Sequence, residues 1–287
     1  MVIVRLMGGL GNQLFQYATG RALAHRHGVP LKLDRADLGR GRHREYALGP
    51  FRVAAAFATA EEVARAYPRT LVGCGRRWLE RLLPPPRRRY YREPKTRHQA
   101  LVPLGPDVYL HGYWQTERNF ESIAPLLRQE LTLREEHAVT ELPLARLMEG
   151  DDSVSLHVRR GDYVSVPRSA AAHGTCPPEY YRAALAAISA SVPHPRVFAF
   201  SDDPDWARAE LQLDAQAIHV SGSRLSAAQE LVLMSRCRHH VIANSTFSWW
   251  GAWLDARPGA LVIAPQRWSS RQDRPPDGLL PLRWHTR

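Results

Sequence analysis

Short apolar runs alternate along this sequence with segments in which apolar residues recur at helical spacing. Residues 2–7 form such a run, and a turn with three glycines and a helical segment follow it. Gly28 and Pro30 end that segment, and Leu31–Asp34 is the next apolar run. Because strands alternating with helices are typical of parallel sheets covered by helices, the sequence predicts an α/β fold.

The alternation continues to the end of the chain. We predict further helices at 60–67, 120–131, 178–190, 227–237 and 247–254, and strands at 108–112, 153–158, 197–200, 241–243 and 261–264, the last of the sheet. The chain has 287 residues, more than the roughly 100–200 of one typical domain. Since the composition shifts near residues 149–152, we predict two lobes, 1–150 and 151–287.

Composition excludes several classes of protein. Apolar residues are 44% and charged residues 23% of the chain, which is typical of globular proteins and not of fibrous or disordered ones. No apolar stretch approaches the roughly 20 residues of a membrane-spanning helix. The N-terminus lacks the pattern of a signal peptide, and the three cysteines have no paired spacing. We therefore expect a cytoplasmic protein with reduced thiols.

The net charge of +11 is carried almost entirely by arginine. Two of the 39 basic residues are lysine and the other 37 are arginine, and the chain has 22 prolines. This bias is typical of GC-rich coding, so we expect no nucleic-acid partner. One basic and aromatic loop is predicted at 84–92. It is either a solvated loop or a peripheral contact with the anionic inner membrane surface.

Polar residues follow the predicted strand 153–158 directly. His157 lies at its end, and Arg159, Arg160 and Asp162 come next. In open α/β sheets ligands bind beyond the carboxyl ends of the strands. Two arginines there suit the oxygens of a phosphate, and the nearby carboxylate can orient a guanidinium group. The alternative is a surface ion pair.

Two further strands end in polar residues. Asp202 and Asp203 follow one strand, and Asn244, Ser245 and Thr246 follow another at the start of a helix. Hydroxyls and free amides at a helix start bind anions, although the same residues also serve as a plain N-cap. With the arginine pair they suggest a pyrophosphate site. The aspartates are open to three roles: binding a metal, binding a ribose or capping a helix.

The first turn imitates a dinucleotide-binding motif. Gly9 and Gly11 precede a helix, and Asp34 ends the next strand. The third glycine of that motif is replaced by Leu14, which argues against a nicotinamide cofactor.

Five blocks of residues carry a resemblance to a known family. They are Gly-Gly-Leu-Gly-Asn-Gln-Leu-Phe-Gln-Tyr-Ala at 8–18, Gly-Tyr-Trp-Gln at 112–115, His-Val-Arg-Arg-Gly-Asp-Tyr at 157–163, Phe-Ser-Asp-Asp at 200–203, and Asn-Ser-Thr-Phe-Ser-Trp-Trp-Gly-Ala-Trp at 244–253. In this order they strongly resemble the α-1,2-fucosyltransferases of glycosyltransferase family 11.

The resemblance implies a GT-B-like glycosyltransferase with two Rossmann-like lobes and a cleft between them. The reaction it implies is inverting transfer of L-fucose from GDP-β-L-fucose to the 2-hydroxyl of a galactose, without a metal or other cofactor. The galactose would belong to a glycan or a lipid-linked oligosaccharide. The first lobe would bind this acceptor and the second lobe the donor.

The resemblance also implies roles for individual residues. Those expected at the donor are His157, Arg159, Arg160, Asp202, Asp203, Glu230, Asn244, Ser245, Thr246, Phe247 and Ser248, with Arg159, Arg160 and Asp162 catalytic. Glu230 stands where family members read guanine, and a carboxylate can accept both hydrogens of that edge. Those expected on the acceptor side are Gly11, Asn12, Gln13 and Trp114.

The base that takes the acceptor's proton stays open. His157, Asp162 and a phosphate oxygen of the donor are the candidates, and we favour the phosphate because Asp162 is needed to orient arginine. Two other functions remain to be separated by experiment. One is a GDP-sugar-binding regulatory protein without turnover, and the other is a metal-dependent transferase that uses Asp202 and Asp203.

Overall fold

The computed structural model describes residues 1–39, 45–67, 82–94, 100–221, 225–271 and 273–287. Its strands are β1 (Val2–Arg5), β2 (Leu31–Asp34), β3 (Ala56–Phe57), β4 (Tyr90–Arg92), β5 (Val108–His111), β6 (Ser153–Val158), β7 (Arg196–Ser201), β8 (Ile218–His219), β9 (His239–Val241), β10 (Val262–Ala264) and β11 (His285–Thr286). Its α-helices are α1 (Leu10–His27), α2 (Ala60–Ala66), α3 (Ala124–Glu130), α4 (Pro143–Met148), α5 (Gly161–Ser165), α6 (Pro167–His173), α7 (Pro178–Ser189), α8 (Pro204–Leu211), α9 (Ala227–Arg236) and α10 (Thr246–Leu254).

The chain divides into two compact units. The N-terminal unit comprises Met1–Thr132 and Asp277–Leu279, and the C-terminal unit comprises Leu133–Pro276 and Leu280–Arg287. The division therefore precedes the predicted boundary at 150. The reason is that α4, before the composition shift, packs on β6 and α9, both of which belong to the C-terminal unit.

The N-terminal unit holds a parallel sheet in the order β3-β2-β1-β5-β4. Val2 pairs with Leu31 and with Val108, so the predicted strand, helix and parallel strand are confirmed. Helix α1 ends as expected at Gly28, whose φ of 61° is left-handed and whose N–H bonds back to the carbonyl of Ala24.

The C-terminal unit holds a second parallel sheet, in the order β11-β10-β9-β6-β7-β8. Strand β6 is buried along its whole length and pairs with β7 and β9. Val154, Leu156, Tyr181 and Ile188 belong to the core between this sheet and its helices. Because β6 is central and parallel to its neighbours, the residues that follow it lie at the carboxyl edge of the sheet.

Strand β9 differs from its prediction. It covers His239–Val241, not 241–243, because two histidines occupy buried positions in it. His240 is held there by the Ser155 hydroxyl at 2.7 Å from Nδ1 and by Asp255 at 3.3 Å from Nε2. The strand predicted as the last is β10, and β11 pairs beside it.

The loop predicted at 84–92 is wrong for its second half. Tyr90–Arg92 is strand β4, paired with β5, and Tyr91 is buried against the ring of Trp114. Aromatic side chains that pack on their own unit are not free to enter a lipid surface. For the arginines before β4, a solvated loop and a peripheral membrane contact stay the two alternatives.

In the part of the chain that the structure describes, no helix combines the length and the apolar character needed to span a bilayer. Of the three cysteines, Cys176 and Cys237 are buried free thiols, and Cys74 lies outside the described residues.

Candidate functional site

Two arginines stand at the carboxyl edge of the C-terminal sheet, directly after β6. The Arg159 guanidinium pairs with the Asp162 carboxylate of α5 and, at 2.9 Å, with Asp202. Arg160 pairs through Nε with Asp203 at 3.0 Å and lies 4.1 Å from the ring centre of Trp206. The structure therefore brings the two predicted arginines together with Asp162 and the aspartate pair in one cluster.

The two aspartates lie in the turn after β7, not on the strand, so strand alternation does not separate them. Asp202 accepts the backbone N–H of Arg160 at 2.7 Å. Asp203 accepts the N–H of Trp206 and is the N-cap of α8. Helix capping is thus one role of Asp203, and binding Arg160 is a second.

The absence of a side chain at Gly161 allows the turn after β7 to approach the end of β6. A Cβ atom at this position would stand 2.5 Å from Oδ2 of Asp202, closer than any ordinary contact. A side chain here would push the carboxylate away from Arg159. The glycine between the arginines and Asp162 is therefore needed for the cluster to close.

Tyr163 and His173 support Arg159 from a second side. The Arg159 guanidinium lies 5.3 Å from the ring centre of Tyr163, whose ring stacks on His173 at 4.6 Å. The Tyr163 hydroxyl donates to the backbone carbonyl of Asn244 at 3.3 Å. This contact joins the arginine cluster to the segment that follows β9.

The Asn244 side chain is buried and serves the fold. Its amide nitrogen donates to the carbonyls of His173, Gly174 and Trp268 at 3.1–3.3 Å. With these bonds made, we no longer expect the Asn244 side chain to contact a phosphate. A contact through its backbone stays a prediction.

Residues 245–248 begin helix α10. Ser245 is the N-cap and accepts the N–H of Phe247 at 3.3 Å, while the Ser248 hydroxyl donates to the backbone carbonyls of Ala243 and Ser245. Both serine side chains are buried, and Thr246 and Phe247 are partly exposed. The plain N-cap therefore exists, and anion binding by Thr246 and by the backbone stays a prediction.

His157 is a buried, neutral imidazole. Burial, with a smaller contribution from the charge of Arg159, lowers its pKa to about 3. Its Nδ1 has no hydrogen-bond partner among the described residues, and its ring lies 5.3 Å from that of Phe247. An imidazole of such low pKa is a weak base at neutral pH.

Glu230 belongs to the same edge of the sheet. It lies in the first turn of α9, next to the capping box that Ser226 and Gln229 form. Burial raises the pKa of Glu230, as does the charge of Asp202, while a hydrogen bond from Ser221 opposes the shift. The Ser221 hydroxyl also accepts the N–H of Ser201 at 2.9 Å. The Ser221 hydroxyl thus links the Glu230 side chain to the end of β7 through hydrogen bonds.

On the predicted acceptor side, the first turn and α1 of the N-terminal unit are closely bonded. The Gln13 side chain is buried, donates to the carbonyls of Gly8 and Glu45, and accepts the N–H of Ala47. Gly11 is buried within α1. Asn12 accepts a hydrogen bond from Gln115 at 2.8 Å and is partly exposed. Of these three residues, only Asn12 offers a side chain to a ligand.

Trp114 adopts a backbone conformation that is rare for a large residue. Its φ is 58°, and Glu93 accepts the N–H groups of Tyr113 and Trp114 at 2.7 and 3.0 Å. Its indole N–H is buried without a hydrogen-bond partner among the described residues. Strain and an unsatisfied donor together are typical of functional positions.

Comparison with known proteins places the chain in a family. The sequence model described as glycosyl transferase family 11 matches residues 78–276. The chain belongs to glycosyltransferase family 11. An α-1,2-colitosyltransferase of Escherichia coli is 30% identical to this family 11 chain, over 99% of this chain and 98% of its own length. A galactoside 2-alpha-L-fucosyltransferase, Sec1, of Mus musculus is 27% identical over 88% of this chain, which spans 64% of that enzyme's length.

A solved structure bears out the predicted fold. The fucosyltransferase NodZ from Bradyrhizobium superposes with a TM-score of 0.54 at 17% identity, covering 88% of this family 11 chain and 92% of NodZ. At that identity the likeness concerns the fold alone. The prediction of a GT-B-like α/β glycosyltransferase with parallel sheets is confirmed.

Some contacts of the site were not predicted from the sequence of this family 11 chain. Tyr163 stood inside a recognised block, so its place next to Asp162 was a usable signal. Trp206 and Ser221 carried no such signal, because their partners are distant in sequence. In the described residues no group of three His, Cys, Asp or Glu side chains is arranged as metal ligands would be.

Proposed function

We propose that this chain is an inverting galactoside α-1,2-fucosyltransferase that transfers L-fucose from GDP-β-L-fucose to the 2-hydroxyl of a galactose. The observation that carries the proposal is the arginine pair after β6, held by three carboxylates at the carboxyl edge of one sheet. Family membership supplies the reaction class, and the name of the mouse relative supports the sugar and the linkage.

The arginines would act on the leaving group. When the bond between the sugar and the phosphate breaks, negative charge develops on GDP, and fixed cations nearby lower that barrier most. Arg160 donates a hydrogen bond to Asp203 through Nε. In the described part of the chain, its terminal nitrogens have no carboxylate partner. A planar fork of this kind suits phosphate oxygens.

The acceptor oxygen would attack the anomeric carbon from the face opposite GDP, which inverts the configuration. Its proton must then leave. The low pKa of His157 and the ion pair of Asp162 with Arg159 argue against these two side chains as the base. A phosphate oxygen of the donor, which we favour, lies on the other face of the sugar, so the proton would reach it through a bridging water after the bond to GDP has broken. Guanine would be read by Glu230, which is tied to the same sheet edge through Ser221.

We propose that no metal is required. Asp202 and Asp203 are both engaged by arginines, and a cation would have to compete with them. Activity is therefore expected to survive EDTA. Loss of activity in the chelator that Mg²⁺ or Mn²⁺ restores would support the metal-dependent alternative.

A second sugar deserves a direct test, because a relative that is 30% identical over nearly the whole chain is named for colitose. Colitose is L-fucose without its 3-hydroxyl group. A site that hydrogen-bonds this hydroxyl rejects the deoxy sugar strongly, whereas a site that does not bond it accepts both. The ratio of kcat/KM for GDP-fucose and GDP-colitose decides between them.

The deciding experiment incubates the protein with GDP-fucose and a panel of galactose-terminated glycans and lipid-linked oligosaccharides, read by mass spectrometry. We expect a fucosylated product and release of GDP. If the protein binds GDP-fucose but forms no fucosylated product and releases no GDP, the result would support the regulatory alternative. If the protein transfers no fucose from GDP-fucose but transfers colitose from GDP-colitose, the sugar of the proposal changes and the reaction class stands.

A further inference from the structure

The two faces of the N-terminal sheet differ in chemistry. Val4 and Leu31 point towards Gly20 of α1, and this face is apolar. On the opposite face, strand alternation places Ile3, Arg5, Lys32, Asp34, Tyr90, Tyr109 and His111. Parallel sheets are normally apolar on both faces, so this polar and aromatic face needs an explanation beyond packing.

Five residues of this face and its surroundings form one group, here called the Arg5 cluster: Arg5, Asp37, Tyr67, Tyr90 and His111. Arg5 pairs with Asp37, and its NH1 lies 3.0 Å from Nε2 of His111. The other ring nitrogen of His111 lies 2.8 Å from the Tyr90 hydroxyl. The Tyr67 ring stacks on that of Tyr90 at 5.1 Å.

The cluster lies at the edge of the sheet where open α/β folds bind their ligands. Arg5 and His111 are the last residues of β1 and β5, at the carboxyl edge of a parallel sheet. The side chains of Arg5 and Asp37 keep 17% and 20% of their surface exposed. The turn that begins at Gly8 and the strained Trp114 follow the same two strands.

The chemistry of the cluster matches a neutral sugar. A pyranose has apolar C–H faces, which pack on aromatic rings, and an edge of hydroxyls, which need both donors and acceptors. Tyr67, which stacks with its neighbours Tyr90 and Tyr109, supplies a ring, Arg5 supplies donors, and Asp37 supplies acceptors. Few polar groups around an aromatic surface are typical of sites that fix a small molecule's orientation.

We propose that the Arg5 cluster binds the terminal galactoside of the acceptor. This inference rests on the proposed function, and it assigns the acceptor to side chains that the family blocks do not contain. The alternative is a purely structural role, in which the ion pair and the stacked rings only hold α2 and its surroundings on the sheet.

The test compares Arg5→Gln and Tyr67→Leu with a matched control, Arg21→Gln. Arg21 pairs with Glu130 in the same unit, and its side chain is 19% exposed, so it loses a similar ion pair on α1. With methyl β-D-galactoside as acceptor, we expect the acceptor KM of both cluster variants to rise roughly tenfold or more. The KM for GDP-fucose should move by less than about twofold, and the control should match wild type in both.

A second measurement does not depend on turnover. Saturation-transfer NMR with methyl β-D-galactoside and GDP should show binding to wild type and Arg21→Gln, and its loss in Arg5→Gln. If a variant fails to fold, Tyr90→Phe replaces it and should raise the acceptor KM, because it removes only the hydroxyl beside His111. Unchanged acceptor KM and binding in the folded variants would overturn the proposal.

The outcomes also separate this inference from the proposed function. Transfer by wild type with unaffected cluster variants overturns the cluster alone. If wild type binds the galactoside through the cluster but transfers no fucose, the proposed reaction fails and the binding site stands. If wild type shows no binding by NMR and no transfer, both are overturned.

Discussion

Arg159 and Arg160 are held by different partners, although they are neighbours in the chain. Arg159 contacts two carboxylates and the Tyr163 ring, whereas Arg160 contacts one carboxylate and Trp206. A planar guanidinium can make ring and carboxylate contacts together, and a lysine ammonium cannot reproduce that geometry. Charge alone should therefore not sustain function at these positions.

We expect Arg159→Lys and Arg160→Lys each to lower kcat by roughly a hundredfold or more, the scale of losing one donor to a developing anion. Steady-state kinetics with GDP-fucose and an accepted galactoside measure this. Arg196→Lys is the control, because Arg196 starts β7 at the far end of the same sheet and pairs with Asp152. Near-normal rates in both folded variants would show that the pair does not stabilise the leaving group.

Glu230 should make GDP binding depend on pH. Burial and the charge of Asp202 raise its pKa, and only the ionised carboxylate can accept both guanine hydrogens. Affinity for GDP should therefore be full above this raised pKa and fall as the pH drops through it. Calorimetric titration across mildly acidic pH measures the loss.

Variants of Glu230 identify the titrating group. Glu230→Gln should weaken GDP binding by about 1–3 kcal/mol, the cost of an unpaired buried group, and should flatten its pH dependence. Glu230→Asp should be milder, because only its reach changes. If the native protein and the Gln variant bind GDP equally, guanine is read elsewhere.

At the scale of elements, the contact of α1 with the N-terminal sheet depends on one glycine. A Cβ atom on Gly20 would stand 2.2 Å from Cγ2 of Val4 and 2.9 Å from Cδ1 of Leu31. Both neighbours are buried side chains of central strands, so they have little room to shift. The helix can approach the sheet this closely only without a side chain at position 20.

Gly20→Ala should therefore lower the free energy of unfolding by about 1–3 kcal/mol, the usual cost of an overpacked core. A loss of stability would be informative, because helix propensity alone predicts a gain: alanine is more favourable than glycine in a helix by about 1 kcal/mol. Urea denaturation measures the change. Because Val4→Ala removes the nearest clashing atom, Gly20→Ala should cost less stability in the Val4→Ala background than in wild type. A Gly20→Ala protein as stable as wild type would contradict the close approach.

At the scale of the whole molecule, buried histidines make stability sensitive to acid. The pKa of His157 is lowered from its ordinary value of 6.5 to about 3, and burial also lowers the pKa of His240. Below pH 6.5 the unfolded chain binds protons that these groups in the folded chain do not. Stability is therefore full above that pH and is lost as the pH falls towards the folded pKa values.

Each such histidine contributes a slope of up to about 1.4 kcal/mol per pH unit in this window. Urea denaturation at several pH values between neutral and mildly acidic conditions should show the loss. His157→Gln should reduce the slope, while His285→Gln, at an exposed position of β11, should leave it unchanged. Equal slopes in wild type and His157→Gln would show that His157 does not titrate as its burial implies.

What could be predicted from the sequence is what depends on neighbours along the chain. The parallel α/β class, the C-terminal end of α1 and the arginines after β6 follow from periodicity, glycine and proline positions, and the polarity of residues at strand ends. The start of α1 does not, because Leu10 and Gly11, predicted in the turn, already belong to the helix. Strand β9 was misplaced because histidine is polar in sequence, whereas here Ser155 and Asp255 satisfy it inside the core.

What only the tertiary structure decided is which groups meet. The sequence placed Asp202 and Asp203 after a strand, but the register of β6 with β7 brings them to Arg159 and Arg160. The Arg5 cluster likewise joins strand ends to Tyr67, which is far from them in sequence. Such contacts depend on strand order and register, and these are set by packing over the whole unit, which local sequence patterns do not encode.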